Sequence, residues 1–108
     1  MTVKTLLIAL AMLASTGAAM ANCYENIGCD DSDRFQRSDL RRLSCQSLWE
    51  VRNWIYKQNG FCFQTDRAAS YFGNQGCYVT SQAAVRLNAY ERDNVAAIRA
   101  VERAKGCN

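Results

Sequence analysis

The sequence contains no histidine. This absence excludes mechanisms built on imidazole, including serine and cysteine triads, ribonuclease-type acid–base pairs and histidine-ligated zinc. A carboxylate-dependent glycan hydrolase stays open, with Glu50, Glu91 and Glu102 as its candidate acids. Since no catalytic constellation is recognisable, we predict that the protein is not an enzyme and has no cofactor.

The chain also lacks an apolar run long enough to span a bilayer as a helix. Its most apolar stretch, residues 6–13, follows a short basic start and precedes a small-residue cleavage pattern at residues 19–21. We predict a signal peptide over residues 1–21, cleaved near Ala21, and a periplasmic or secreted mature chain. Lipid attachment at Cys23 is a weaker alternative, because the Leu and small-residue pattern of lipid-attachment sites is missing.

The 87 residues that follow residue 21 are sufficient for one small domain, whose core alone would be marginal. They hold all six cysteines, and none of these forms the C-x-x-C pair of a zinc ribbon or a thioredoxin-like site. We therefore predict three disulfides and no metal site. The 12 basic and 10 acidic residues of this part leave a net charge of +2, too small to indicate nucleic-acid binding.

Residues 22–42 form a segment that is first acidic and then basic. Cys23 and Cys29 are expected to close the acidic part as a disulfide loop. Beyond it the charge reverses in a cluster of arginines, Arg34, Arg37, Arg41 and Arg42. These residues could pair with the acidic loop, remain solvated, or hold an anionic envelope polymer weakly.

Residues 43–108 are predicted to form a mainly α, disulfide-stapled domain with two longer helices and a short one, joined by turns and short extended segments. Ser47 and Glu50 have capping-box spacing, which favours a helix from Leu48 to about Asn59 that Gly60 ends. Its apolar stripe is Leu48, Val51 and Ile55.

The short helix and the last helix have similar signals. Thr65 can cap a helix that runs to Phe72 and ends at Gly73. Asn88 and Glu91 again have capping-box spacing, so the last helix should run from Ala89 to about Lys105 and end at Gly106, with an apolar stripe of Val95, Ile98 and Val101.

The densest motif, RNWIYKQNGFCF at residues 52–63, precedes blocks at residues 71–72, 76–78, 91–98 and 102–103. In this order and spacing the blocks resemble the YARHG domain, a bacterial extracytoplasmic domain, over residues 43–107. In the name-giving pentapeptide Tyr56 and Gly60 match, whereas Lys57, Gln58 and Asn59 replace Ala, Arg and His. The resemblance implies a helical envelope or secreted domain, of a cysteine-bearing branch, with no established catalytic residues to carry over.

Arg52, Asn53 and Trp54 are the candidate binding residues within this motif. Arg52 lies on the apolar stripe and must meet a carboxylate, with Glu91 or Glu102 as the natural partner. In the alternative interpretation, Arg52 and Asn53 hold an anionic ligand. Trp49 and Trp54 are five residues apart and cannot share the centre of one face, so we expect one of them to be exposed as a partner anchor.

Disulfide pairing depends on how the two long helices pack. Antiparallel packing places Cys107 by Cys45 and leaves Cys62 to meet Cys77. Parallel packing would instead join Cys62 to Cys107 and Cys45 to Cys77. We favour the antiparallel scheme, with Cys23 bonded to Cys29.

The function predicted from these features is that of a monomeric, exported, non-enzymatic domain that binds an envelope protein or polymer. A second hypothesis is an inhibitor of an envelope-degrading enzyme, because small rigid disulfide domains have a low ordering cost on binding. The segment expected to contact the enzyme is the turn at residues 73–76, which contains Gln75. Glycan hydrolysis is the third hypothesis.

Overall fold

The computed structural model describes residues 22–108, so the predicted signal peptide lies outside the described residues. Helices dominate this part of the chain, as the sequence predicts. In chain order the elements are β1 (Cys23–Tyr24), β2 (Gly28–Cys29), α1 (Arg37–Leu40), α2 (Cys45–Gln58), α3 (Asp66–Phe72), a 3-10 turn (Gln82–Ala84) and α4 (Ala89–Lys105). The two strands pair antiparallel, with Cys23 opposite Cys29.

The start of α2 differs from the prediction. Ser44 is the N-cap, and its hydroxyl accepts a hydrogen bond of 3.0 Å from the backbone amide of Ser47. The predicted capping box of Ser47 and Glu50 is therefore wrong, and the helix begins at Cys45 instead of Leu48. Two serines three residues apart can both cap, and the earlier one adds almost a full turn of backbone hydrogen bonds.

The predicted capping box and bounds of α4 are confirmed. The Glu91 amide donates to the Asn88 side chain, and the Asn88 amide donates to the Glu91 carboxylate, both at 2.8 Å. The helix ends where Gly106 takes a left-handed conformation with φ of 75°. The short helix α3 also has its predicted limits, with Thr65 as N-cap and Gly73 as C-cap.

The core lies between α2 and α4, which run in opposite directions. Leu48 and Ile55 from α2 and Ile98 from α4 have no exposed surface. The start of α2 is joined to the end of α4 by a disulfide, Cys45–Cys107, while Cys62–Cys77 and Cys23–Cys29 complete the set. These are the pairs of the antiparallel scheme.

A buried amide on α4 binds three backbone groups of the N-terminal segment. Asn94, which is 1% exposed, donates to the carbonyls of Asp30 at 3.0 Å and Asp33 at 2.8 Å. Its side-chain oxygen accepts from the backbone amide of Phe35 at 2.8 Å. Phe35 and Ile27 thereby join the main hydrophobic core, and residues 22–42 pack as part of one structural unit with the helices.

Replacing Asn94 with alanine is expected to lower the free energy of unfolding by about 2 kcal/mol, because three backbone groups lose a buried partner. Asn94→Asp is the matched variant, since it can still accept from Phe35 but cannot donate to the two carbonyls. Urea unfolding measures the loss, and hydrogen exchange should show faster exchange over residues 27–35. Unchanged stability in Asn94→Ala would refute this role.

Candidate functional site

Arg52 is held in a largely buried ion pair. Its Nε and a terminal guanidinium nitrogen donate to the two carboxylate oxygens of Glu102 at 2.8 and 3.0 Å. The two side chains are only 15% and 12% exposed. Of the two carboxylates that the sequence offers, Glu102 is the partner, since Glu91 serves the cap of α4. Arg52 thus has the carboxylate partner that its place on the apolar stripe predicts.

Asn53 lies next to Arg52 and is also turned into the fold. It is 5% exposed, and its amide nitrogen donates to the carbonyl of Trp49 at 2.9 Å. Both residues line an open groove of about 380 Å³, together with Trp49, Phe61, Phe63 and Thr65. Two of the five guanidinium N–H groups of Arg52 and one amide N–H group of Asn53 are thus bonded to protein acceptors.

Trp54 belongs to a different groove, so the structure does not bring the three candidate binding residues together. This second depression, which we call the aromatic groove, has a volume of about 550 Å³ and is lined by Tyr24, Glu50, Trp54, Lys57, Tyr71 and Phe72. Its walls come from β1, α2 and α3.

Phe72 is the centre of the aromatic cluster behind this groove. Its ring lies 5.9 Å from that of Trp54, 5.4 Å from that of Trp49 and 4.8 Å from that of Tyr71. The expectation of one exposed tryptophan is wrong, because both tryptophans are half-buried. Within this cluster the exposed ring is that of Tyr71, at 56%. Arg67 covers Trp49, its guanidinium carbon 3.8 Å from the ring centroid.

An acid and a base stand at the edge of the aromatic groove. Glu50 Oε2 accepts hydrogen bonds from the Tyr71 hydroxyl at 2.8 Å and from Gln46 Nε2 at 2.9 Å. The bond from Tyr71 to this carboxylate raises the pKa of the phenol above its ordinary value. Lys57 Nζ donates to the carbonyl of Gly73 at 3.3 Å. The groove therefore combines aromatic surface with one charge of each sign.

A buried carboxylate supports the groove from below. Asp30 has no exposed surface, and its Oδ2 accepts from Tyr24 at 2.8 Å and from Gln58 at 3.2 Å. Its Oδ1 is buried without a hydrogen-bond partner. Burial raises the pKa of Asp30, against the lowering effect of these two hydrogen bonds. Burial, and after it the Asp30 charge, raises the pKa of Tyr24.

The raised pKa of Asp30 predicts an unusual pH dependence of stability. The carboxyl of Asp30 has a higher pKa in the folded chain than in the unfolded chain. Between these two pKa values the folded chain therefore binds more protons than the unfolded chain does. The contribution of Asp30 is therefore most favourable below the unfolded pKa and declines as pH rises through the folded pKa. Asp30→Asn should remove this decline, so its free energy of unfolding relative to wild type should increase as pH rises from the unfolded pKa through the folded pKa of Asp30.

Urea unfolding across that pH range measures the effect, and Asp31→Asn, at an exposed neighbouring position, is the matched control. A stability difference between wild type and Asp30→Asn that does not change with pH would contradict the prediction.

The arginine cluster of the N-terminal segment does not pair with the acidic loop in the contacts that the structure shows. Arg34 bonds Asp93 of α4 at 2.7 Å and lies 4.3 Å from the ring centroid of Tyr90. Arg42 approaches Asp39, three residues away, at 3.9 Å. Both pairs are solvent-accessible and contribute little to stability.

The part of the chain that the structure describes has neither a group of metal ligands nor a membrane-spanning helix. Between residues 22 and 108, no three acidic or cysteine side chains are grouped so that they could hold a metal ion. No helix in the same range has the length and apolarity to cross a membrane.

The three residues that depart from the pentapeptide each support the fold. Lys57 reaches Gly73, and Gln58 bonds Asp30. Asn59 donates to the carbonyl of Ile55 at 2.8 Å and to the carboxylate of Glu91 at 3.1 Å. The two residues that match the pentapeptide are structural as well, since Tyr56 is buried and Gly60 has a positive φ of 88°. A side chain at Gly60 would overlap the Tyr78 ring.

Comparison with known proteins agrees with this arrangement. The sequence model of the YARHG domain matches residues 23–103. The match starts at the first cysteine of the disulfide loop and so includes the segment that Asn94 holds. No curated protein and no solved structure matches the chain significantly. Since the match covers most of the sequence, the chain belongs to the YARHG domain family.

Proposed function

We propose that this YARHG domain is an exported, non-enzymatic module that binds a component of the bacterial cell envelope through the aromatic groove. The observation that carries the proposal is the exposure of Tyr71, 56% accessible, beside Trp54 and Phe72 in a depression of about 550 Å³. Aromatic side chains that are partly accessible in a concave site are frequent anchors for ligands and partners.

The engagement of the carboxylates supports a non-enzymatic role. Glycoside hydrolysis needs two carboxyl groups that flank the scissile bond. Glu91 accepts hydrogen bonds from Asn88 and Asn59, and Glu102 is paired with Arg52. Glu50 lines the aromatic groove, whereas Glu102 lines a separate depression at the end of α4, so these two acids do not flank one site.

The disulfides support a location outside the cytoplasm. Disulfides persist in the periplasm and outside the cell, whereas cytoplasmic thiols are kept reduced. Three pairs in so short a chain agree with export directed by the predicted signal peptide and cleavage near Ala21. We propose a monomeric periplasmic or secreted domain.

Co-sedimentation with envelopes from the native organism tests this function. The oxidised domain should bind, and Tyr71→Ala should weaken binding by roughly fivefold, the scale of a moderate anchor residue. Tyr90→Ala is the matched control, since Tyr90 is 37% exposed and does not line the aromatic groove. Equal binding by both variants, or no binding by the folded wild type, would reject the proposal.

A second candidate function, inhibition of an envelope-degrading enzyme, is favoured by the rigidity of the turn at residues 73–76. Asn74 accepts from the amide of Phe63 at 2.8 Å and donates to its carbonyl at 3.1 Å. The Cys62–Cys77 disulfide holds the same two segments together. Gln75 is exposed between them, as an inserting residue would need to be.

This candidate predicts inhibition of a muramidase or envelope peptidase by the wild-type domain, and its loss in Gln75→Ala. Gln64→Ala, at another exposed glutamine, serves as the control. Inhibition that survives the change at Gln75 would exclude this turn as the inhibitory element.

A further inference from the structure

One face of α2 presents an acid, an aromatic ring and a base in order along the aromatic groove. Glu50, Trp54 and Lys57 are separated by four and three residues, so they lie on the same side of the helix. With a rise of 1.5 Å per residue, the two charged positions are about 10 Å apart along the helix axis. The groove is therefore polarised along its length, negative at the Glu50 end and positive at the Lys57 end.

Both charged groups keep capacity for a ligand. The two hydrogen bonds to Glu50, from Tyr71 and Gln46, end on Oε2, so Oε1 can accept from a ligand. Lys57 directs one of its three ammonium protons to the Gly73 carbonyl, through a long contact of 3.3 Å, and the others can be donated. Tyr71 and Gln46 hold the carboxylate in place, so that binding need not order it.

From this juxtaposition we infer that the aromatic groove binds a short extended peptide whose free amino group and free carboxylate lie about three residues apart. Extended chains rise 3.2–3.4 Å per residue, so three residues span about the same length as the axial separation of positions 50 and 57 on α2, about 10 Å. The amino group faces Glu50, the carboxylate faces Lys57, and an apolar side chain between them packs on Trp54. The inference rests on the proposed function and names the ligand class of the same site.

Charge complementarity favours this occupant over the other polymers of an envelope. A neutral glycan could stack on the aromatic rings but would leave both charges of the groove without a counter-charge. A polyanion would gain from Lys57 and be repelled by Glu50. A zwitterionic peptide uses both groups, and its reversed orientation is penalised at both ends.

Calorimetric titration of the oxidised domain with the tripeptide alanyl-leucyl-alanine tests the inference. Two blocked forms of the peptide, one acetylated at the amino end and one amidated at the carboxyl end, are titrated in parallel. Each blocked form should bind about threefold more weakly, the scale of one solvent-accessible ion pair. Glu50→Gln should weaken the free peptide but not the acetylated one. Lys57→Gln should weaken the free peptide but not the amidated one.

Asp66→Asn and Lys105→Gln change one charge of each sign outside the groove lining and should bind the free peptide like wild type. Equal affinity for free and blocked peptides, or preference for a neutral chitin oligosaccharide, would overturn the peptide inference. The proposed function has a separate test: if Tyr71→Ala also leaves envelope binding intact, the groove itself is not the site. Loss of envelope binding in Tyr71→Ala without any peptide binding would overturn the ligand class alone.

Discussion

Replacing Cys45 and Cys107 together with alanine is expected to lower the free energy of unfolding by about 4 kcal/mol. The bond closes a loop of 62 residues and joins the start of α2 to the end of α4. In the loop-entropy description, a cross-link stabilises by restricting the unfolded chain, and a loop of this length gives on the order of 4 kcal/mol. A domain of 87 residues has little stability to spare, so this variant should be largely unfolded at 37 °C.

The other two disulfides are the controls. They close loops of 15 and 6 residues, for which the same relation gives about 3 and 2 kcal/mol. Urea unfolding of the three double-alanine variants should therefore follow the order of loop length. A variant lacking Cys23 and Cys29 that is less stable than one lacking Cys45 and Cys107 would contradict the account. So would a Cys45–Cys77 peptide in a digest made without reduction.

Arg52→Ala is expected to destabilise the domain by about 3–5 kcal/mol, the range measured when one member of a buried ion pair is removed. The loss is large because Glu102, only 12% exposed, would keep its charge in a site shielded from water. Glu102→Ala should be comparably destabilising, since it leaves the guanidinium without its two acceptors.

The double variant Arg52→Met/Glu102→Leu separates ion pairing from packing. It fills the same space without charge, and such replacements are often neutral or stabilising. We expect its free energy of unfolding to lie within about 1 kcal/mol of the wild-type value. It should also bind envelopes as wild type does, because neither residue lines the aromatic groove. Wild-type stability in Arg52→Ala, with loss of binding in the double variant, would assign Arg52 to ligand recognition instead.

Much of the fold follows from local signals in the sequence. The cap at Asn88 and the stop at Gly106 are encoded by residues next to the helix that they limit, so α4 is predictable from end to end. The start of α2 is not, because Ser44 and Ser47 both offer a capping hydroxyl and only the folded structure selects between them. The sequence predicts that Arg52 pairs with a carboxylate, because it lies on an apolar stripe. Antiparallel packing of α2 and α4 then selects Glu102 over Glu91.

The aromatic groove is much less visible in the sequence. Tyr71 contacts Glu50 across 21 residues, and this proximity exists only because α3 folds back on α2. The Tyr71-Phe72 pair is part of the family resemblance, yet nothing local distinguishes the exposed ring from the inserted one. Asp30 is similar, since its acidic neighbours suggest a solvated loop, whereas Tyr24 and Gln58 enclose it. Long-range packing therefore determines the site.

The most direct test of groove binding places a photo-crosslinking amino acid at Tyr71 and, in a second protein, at Tyr90. Both positions are exposed, but only Tyr71 lines the aromatic groove. Irradiation on native envelopes should give a discrete crosslinked product when the photo-crosslinking amino acid is at position 71, and none when it is at position 90. An excess of the domain without this amino acid should compete for the site and abolish the product from position 71. Equal products from both positions, or none from a folded and fully oxidised domain at Tyr71, would contradict binding through the aromatic groove.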